Sequence, residues 1–357
     1  MEQHYQKHDT IHGRGTTQNP PNRFERLVYL PVIESAEDEE GSVKTQYLKD
    51  ASRSLITYND SPDVGFEASI NPYRGCEHGC IYCYARPYHE YLGFSAGLDF
   101  ETKILVKEDA PELLREELAS RKWRPKVVAI SGVTDAYQPI ERKLKLTRRC
   151  LEVLTEFRNP VIVVTKNQLV TRDIDLLKEL ASFNGVAVCV SVTSLDPELA
   201  RVMEPRTSTP ERRLEAIRAL AEAGVPVRVL VAPTIPGLTD HEMPSIIQAA
   251  AKAGATNAGY VVVRLPYGVS GLFENWLEMH FPERKNKVLN RVRSIRGGKL
   301  NDPNFGSRMK GEGVFADQIR SMFQLGCRKA GLNGDGPELS TAAFRRSHGP
   351  QLSLFGS

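Results

Sequence analysis

The chain has 357 residues, 41% of them hydrophobic, with a formal net charge of +3 and six cysteines. That length permits a large buried core, either one big α/β domain with extensions or two smaller domains, and the charge is too small for its sign to identify a partner. No run of about 18 apolar residues occurs, and the opening MEQHYQKHDTIHGRG lacks the apolar stretch of a signal peptide, so the expectation is a cytoplasmic chain with no membrane partner. In a reducing compartment clustered cysteines bind metal or do redox chemistry more readily than they form disulfides.

Residues 1–60 are rich in His, Gly, Pro, Asn and charge, with the acidic run ESAEDEEG, and predict an extended, partly disordered arm. Within it HGRGTTQNPPNRFE (12–25) admits a second reading, in which it closes over the mouth of the next domain. Residues 61–280 alternate short β-branched strands with amphipathic helices. Strands are predicted at FEASINP (66–72), KVVAISG (126–132), VIVVT (161–165), VAVCVSVT (186–193), VPVRVLVAP (225–233) and YVVVRLP (260–266). The helix STPERRLEAIRALAEAG opens with Thr209 as N-cap and Pro210 in its first turn, carries Leu214, Ile217 and Leu220 on one stripe, and ends at Gly224. DHEMPSIIQAAAKAG repeats that scheme from Asp240 to Gly254. Six βα units in a row predict an α/β fold of the partial (β/α)6, TIM-like kind, short of the eight units of a complete barrel. In the fourth strand Val186, Val188, Val190 and Val192 form a face suited to the outer helices, and Ala187, Cys189, Ser191 and Thr193 form an inner face. Residues 281–335 predict a basic helical extension and 336–357 a flexible tail.

The stretch NPYRGCEHGCIYCYAR (71–86) sets Cys76, Cys80 and Cys83 in a CxxxCxxC loop just after the first strand, at the end of a barrel where functional loops lie. Closed zinc sites and the common ferredoxin patterns use four ligands. Three thiolates on a [4Fe-4S] cubane leave one iron open to a small molecule bearing an amine and a carboxylate. Gly75 and Gly79 allow positive φ in such a loop, and Arg74 and Arg86 can offset the cluster's negative charge. The alternative is a zinc site completed by His78 or His89, which would make the chain a non-catalytic zinc- or Fe–S-binding protein that interacts with nucleic acid. With an open cluster, His78 reads as a solvated loop residue.

The triple cysteine with an aromatic, Tyr82, before its third member resembles the signature of the radical SAM superfamily, and the resemblance spans residues 66 to about 270. More narrowly, NPYRGCEHGCIYCYAR, SGVTDAYQPIE and APTIPGLTD resemble the spore photoproduct lyase-like branch, often labelled DNA repair photolyases. True lyases carry a cysteine hydrogen donor on the loop after the second strand, where SGVTDAYQPIERK has none. The resemblance implies an enzyme with a radical SAM core whose cofactors are a [4Fe-4S] cluster and S-adenosyl-L-methionine. It implies reductive cleavage of that cofactor to a 5′-deoxyadenosyl radical that abstracts a substrate hydrogen, with a flavodoxin- or ferredoxin-type reducing partner. It also implies roles for residues: Cys76, Cys80 and Cys83 as cluster ligands, Tyr82 beside the adenine, and Gly132, Thr134 and Asp135 at the methionyl amine. Ser191, Thr193, Glu204 and Arg206 fall at the ribose and carboxylate, and PTIPG (233–237) runs along the adenine. No residue is assigned to the substrate, for which nucleic acid stays open.

Other residues carry two readings. Asp135 also suits a helix cap, and Cys189 is either a small buried hydrophobe or a hydrogen donor. Cys150 falls on a helical apolar stripe, and Cys327 is expected to pack near the end of a terminal helix. Arg228 and Arg264, in apolar strands, are either ion-paired structural residues or substrate ligands. Residues 283–330 hold 12 Lys or Arg against 4 Asp or Glu, a surplus suited to phosphates or to a solvated helix face.

Overall fold

The computed structural model describes residues 11, 13–24, 43–332, 334 and 336–346, so the acidic run of the arm and the end of the tail lie outside the described residues. Six strands lie side by side in chain order, all parallel: β1 (Ala68–Ile70), β2 (Val128–Ile130), β3 (Val161–Thr165), β4 (Val186–Ser191), β5 (Val227–Thr234) and β6 (Asn257–Val262). Their register aligns Ile70, Ile130, Val163, Val188 and Val227 in one row, each fully or almost fully buried. β-branched residues in such a row fit the pleated surface and turn their apolar mass toward the covering helices. The sheet is the partial-barrel type. Its β1 edge is covered by the antiparallel strand Thr57–Tyr58.

The helices α1 (Ala110–Ala119), α2 (Leu146–Phe157), α3 (Ile174–Ala181), α4 (Pro210–Glu222) and α5 (Met243–Lys252) connect the strands. The Thr209 hydroxyl caps α4 by accepting from Arg212 N at 3.4 Å, with Pro210 in the first turn. The face α4 buries is rotated from the predicted stripe: Arg213, Ala216, Ile217 and Leu220 are buried, while Leu214 is only partly so. α5 begins after a 3-10 turn at Asp240–Glu242, three residues later than predicted. β6 runs three residues earlier than YVVVRLP suggested, because the chain leaves the sheet after Val262 toward Pro266. Cys150 is buried in α2 as expected. On β4 the four valines belong to the main core, whereas Ala187 and Cys189 face the barrel interior.

A second, small sheet sets the cysteine loop in place. Gln46–Lys49 pairs parallel with Lys103–Val106, which pairs antiparallel with Tyr73–Arg74 at the start of the loop. After β6 come α6 (Gly268–His280), α7 (Pro282–Ser294) and α8 (Val314–Ala330). α8 packs on α5, where Gly326 admits Ile247, and Cys327 is buried near its end. Among the described residues no helix is long and apolar enough to cross a membrane.

Candidate functional site

The cysteine loop is built on two left-handed glycines and one buried arginine. Gly75 has φ 78° and Gly79 φ 67°, a region costly for any residue with a Cβ. A Cβ on Gly79 would also stand 2.8 Å from Glu101 Oε2. Arg86, wholly buried, donates to Cys80 O (3.1 Å), Gly79 O (3.3 Å), Ala96 O and Gly97 O, and pairs with Glu101. Its charge is therefore neutralised by Glu101 while its fork clamps the loop's carbonyls. Arg74, expected to offset the cluster charge, instead pairs with Asp50 at 2.8 Å.

Cys76 and Cys80 are buried and Cys83 half-buried. Burial pushes the Cys80 thiol well up, Glu204 and the other two thiols add to this, and Lys166 opposes it. Burial likewise pushes Cys83 up, with Cys76 adding and Arg86 and Lys166 opposing. The three sulfurs thus lie within electrostatic reach of one another, and a cation between them relieves the repulsion of their thiolate forms. Among the described residues no three Cys, His, Asp or Glu side chains converge on one point as a single zinc ion requires. The donor set, three thiols in one glycine-shaped loop, fits a larger group that takes one thiolate on each of three irons.

His78 is not solvated. It is 1% exposed, with Nδ1 3.4 Å from Asp135 Oδ2 and Nε2 3.2 Å from Asn167 Nδ2, so residues distant in sequence enclose the ring. Burial works against its charge, but Asp135 and the Cys76 sulfur hold its pKa up at about 10. Asp135 is held down at about 2: burial works against its charge, and His78 and the N–H groups of Lys166 and Tyr137 outweigh it. His89 packs among aromatics, 5.1 Å from the Phe94 ring and 5.6 Å from that of Phe100.

The residues nominated from SGVTD line one side of the loop. The Thr134 hydroxyl donates to Gly75 O at 2.7 Å. Asp135 accepts from Tyr137 N (2.9 Å), the Thr165 hydroxyl (2.8 Å) and Lys166 N (2.8 Å), so it caps its own turn as well as facing His78. Gly132 N–H donates to Asn71 Oδ1 at 2.8 Å, and its carbonyl accepts from Tyr84 OH at 2.7 Å.

On the other side, Glu204 collects hydrogen bonds from the Tyr82 hydroxyl, the Thr193 hydroxyl (2.7 Å) and Arg213 Nη2 (2.5 Å). Burial pushes its carboxyl up, and Arg213 opposes the shift. Ser191 is buried at the end of β4 and accepts from Arg213 Nη1 at 3.2 Å through its carbonyl. Arg206 stands apart, its Nη1 3.4 Å from both Glu77 Oε1 and Thr45 Oγ1 and its N–H 3.3 Å from His78 O. The structure thus joins Tyr82, Thr193 and Glu204 in one network and places Arg206 where the arm meets the loop. In PTIPG the turn closes by Ile235 N donating to the Thr239 hydroxyl at 2.9 Å, with Gly237 at φ 81°.

Sequence reasoning missed Arg213 and Lys166. Arg213 shares the buried face of α4 with Ile217 four residues on, a charge inside an apolar stripe. Lys166 follows the last residue of β3, the position at which barrel strands present functional groups. The arm was also more informative than its composition. Gly15 N–H donates to Glu101 Oε2 at 2.9 Å, and a Cβ there would collide with Gly79 O at 1.7 Å, so residues 13–24 pass directly over the cysteine loop.

The spore photoproduct lyase structures are similar in fold. One, in complex with a dinucleoside spore photoproduct, aligns with a TM-score of 0.56 and 17% identity, over 84% of this chain and 85% of its own. A variant of that lyase has the same score and identity over 81% and 79%. In sequence, an uncharacterized protein of Mycobacterium tuberculosis is 40% identical over 61% of this chain, which spans 65% of that relative's length. An uncharacterized protein of Methanocaldococcus jannaschii is 31% identical over 66% of this chain and 84% of its own. The radical SAM superfamily profile matches residues 70–250, from the end of β1 into α5, and with that match over half the chain, on this barrel, the protein belongs to the radical SAM superfamily.

Proposed function

We propose that this chain holds a [4Fe-4S] cluster on Cys76, Cys80 and Cys83 and uses S-adenosylmethionine to remove a hydrogen atom from a substrate carbon. Together these cofactors, when bound, supply one-electron cleavage of the sulfonium to methionine and a 5′-deoxyadenosyl radical. The chain's own contribution is placement. Gly75, Gly79 and Arg86 hold the three cysteines in one loop, and Lys166 favours the thiolate forms of Cys80 and Cys83. Thr134 and Asp135 brace the loop from β2, while Tyr82, Thr193 and Glu204, tied to Arg213, form the opposite wall with Ser191. Gly132 and Arg206 complete the cofactor-contacting set carried by the resemblance. The reading also calls for an external one-electron donor of flavodoxin or ferredoxin type.

The observation that carries this reading is three cysteines, Cys76, Cys80 and Cys83, held in one loop by two left-handed glycines and buried Arg86, at the carboxyl end of β1. Anaerobic reconstitution tests it. The wild type should bind about four irons with matching sulfide and form 5′-deoxyadenosine with a strong reductant. Cys80→Ala should lose the cluster and Cys150→Ala should keep it; full iron and sulfide in Cys80→Ala would refute the assignment.

A further inference from the structure

A second group of polar side chains stands at the opposite end of the sheet from the cysteine loop. Arg228 is the second residue of β5 and Asn257 the first of β6, and the two are direct partners in the register. With Cys327, Arg328 and Leu332, from the end of α8 and just beyond, they line a cavity of about 340 Å³. Two glycines shape it by allowing close approach. A Cβ on Gly259 would stand 2.6 Å from Arg228 Nη2, so the guanidinium lies directly against β6. A Cβ on Gly336 would stand 2.2 Å from Asn257 Nδ2, so the chain beyond α8 crosses the amide.

Both side chains keep unused hydrogen-bonding capacity. The buried arginines Arg86 and Arg296 each bond four backbone carbonyls. Arg228 donates once, from Nη2 to Ala258 O at 3.2 Å; its Nε is buried with no partner, and among the described residues no carboxylate lies within ion-pair distance of it. Asn257 is 2% exposed, and its Oδ1 has no partner either. Buried groups of this kind cost free energy unless something in the cavity bonds them. Arg328 supplies a second cation to the lining, and Lys310, which burial and Arg228 together depress, is a third within electrostatic reach. Among the described residues no carboxylate lines the cavity. Guanidinium groups without a counter-charge call for an oxyanion, and the Asn257 oxygen, an acceptor, calls for a donor on the same ligand.

We propose that this cavity binds a small oxyanion that also carries a hydrogen-bond donor, such as hydrogen phosphate or a hydroxycarboxylate, with Arg228 and Arg328 pairing its charge and Asn257 accepting from its hydroxyl. The volume lies at the small end of ligand pockets, which suits one small molecule and not a polymer chain. The site is independent of the function proposed above, because no residue of the cysteine loop or its walls takes part in it. Cys327 gives it a reporter. Burial pushes that thiol up and Arg228 opposes the shift, so the sulfur senses the same cation that the ligand would neutralise.

The test is isothermal titration calorimetry on the full chain, reconstituted anaerobically, in a chloride buffer near neutral pH. The probes are two pairs, inorganic phosphate with sulfate and malate with succinate, in which only the first member carries a hydroxyl. Phosphate or malate should bind saturably at one site per chain, and the tighter of the two names the kind of oxyanion. That anion should bind about fivefold more tightly than its partner without the hydroxyl. Arg228→Met should weaken binding roughly ten- to a hundredfold. Asn257→Asp, nearly isosteric, should abolish it by setting a carboxylate in the cavity. Both variants should keep the wild-type circular dichroism and iron content, since the cysteine loop lies at the other end of the sheet. The bound anion should also slow alkylation of Cys327 by N-ethylmaleimide, read by peptide mass spectrometry, and Arg228→Met should lose that protection. No saturable binding of any of the four anions, or undiminished affinity in Arg228→Met, overturns the proposal and leaves the cavity to water.

Discussion

The cysteine loop and the C-terminal extension use charge in opposite ways. Around the loop, three charge pairs lie buried: Arg86 with Glu101, Arg213 with Glu204, and His78 with Asp135. In the extension, charges are many and face water, in pairs such as Arg320 with Asp317, Arg293 with Glu274 and Lys285 with Glu278. A count along the chain makes the extension the more conspicuous region, yet surface pairs are screened and weak while a buried pair commits the structure around it. Charge number is therefore a poor guide to where this molecule concentrates its electrostatic free energy.

Replacing one member of a buried pair should break the molecule hardest. Arg213→Met leaves Glu204 buried without its cation and should lose about 3–5 kcal/mol of unfolding free energy by urea titration. Arg206→Ala, at a half-buried pair 3.4 Å long, should cost about 1 kcal/mol or less while weakening S-adenosylmethionine binding with the cluster intact. If the two variants were equally stable, Arg213 would not be the organising cation.

Gly79→Ala should come next. It forces a Cβ into a left-handed residue and against Glu101, costing about 1–3 kcal/mol. Reconstitution should then yield less iron per chain than the wild type, and a wild-type iron content would show that the loop tolerates the change.

Where the extension meets the barrel, the contrast gains a pH signature. Lys310 donates to Tyr260 O at 2.7 Å, and burial, with Arg228 and Arg320 adding, lowers its pKa to about 8. A depressed lysine means the unfolded chain binds the extra proton, so between pH 8 and about 10.4 stability should rise with pH, and below pH 8 that contribution is absent. Melting curves of wild type and Lys310→Met across this window should diverge; parallel curves would mean that Lys310 is effectively solvated.

The smallest effect belongs to the open surface. Arg320→Ala removes a half-exposed i,i+3 pair and should change stability by less than about 1 kcal/mol, less still at high salt. A loss comparable to that of Arg213→Met would erase the distinction between the two regions.

Local pattern determined much of this protein. The strand cores, the Thr209 cap, the inner and outer faces of β4 and the positive φ of Gly75 and Gly79 follow from side-chain period and backbone sterics, which act over a few residues. The triple cysteine was legible for the same reason, since its thiols are neighbours in the chain. Tertiary structure decided the rest. Arg213 meets Glu204, His78 meets Asp135, and Gly15 crosses Gly79 only because strands and loops distant in sequence converge at one end of the sheet. Composition marked the arm as disordered, yet residues 13–24 lie on the loop, held by scattered hydrogen bonds to Glu101 and Asp99 and by the Arg23–Glu90 ion pair, which leave no periodic trace. Burial sets the strength of an ion pair and proximity creates a surface, and both are properties of the folded chain.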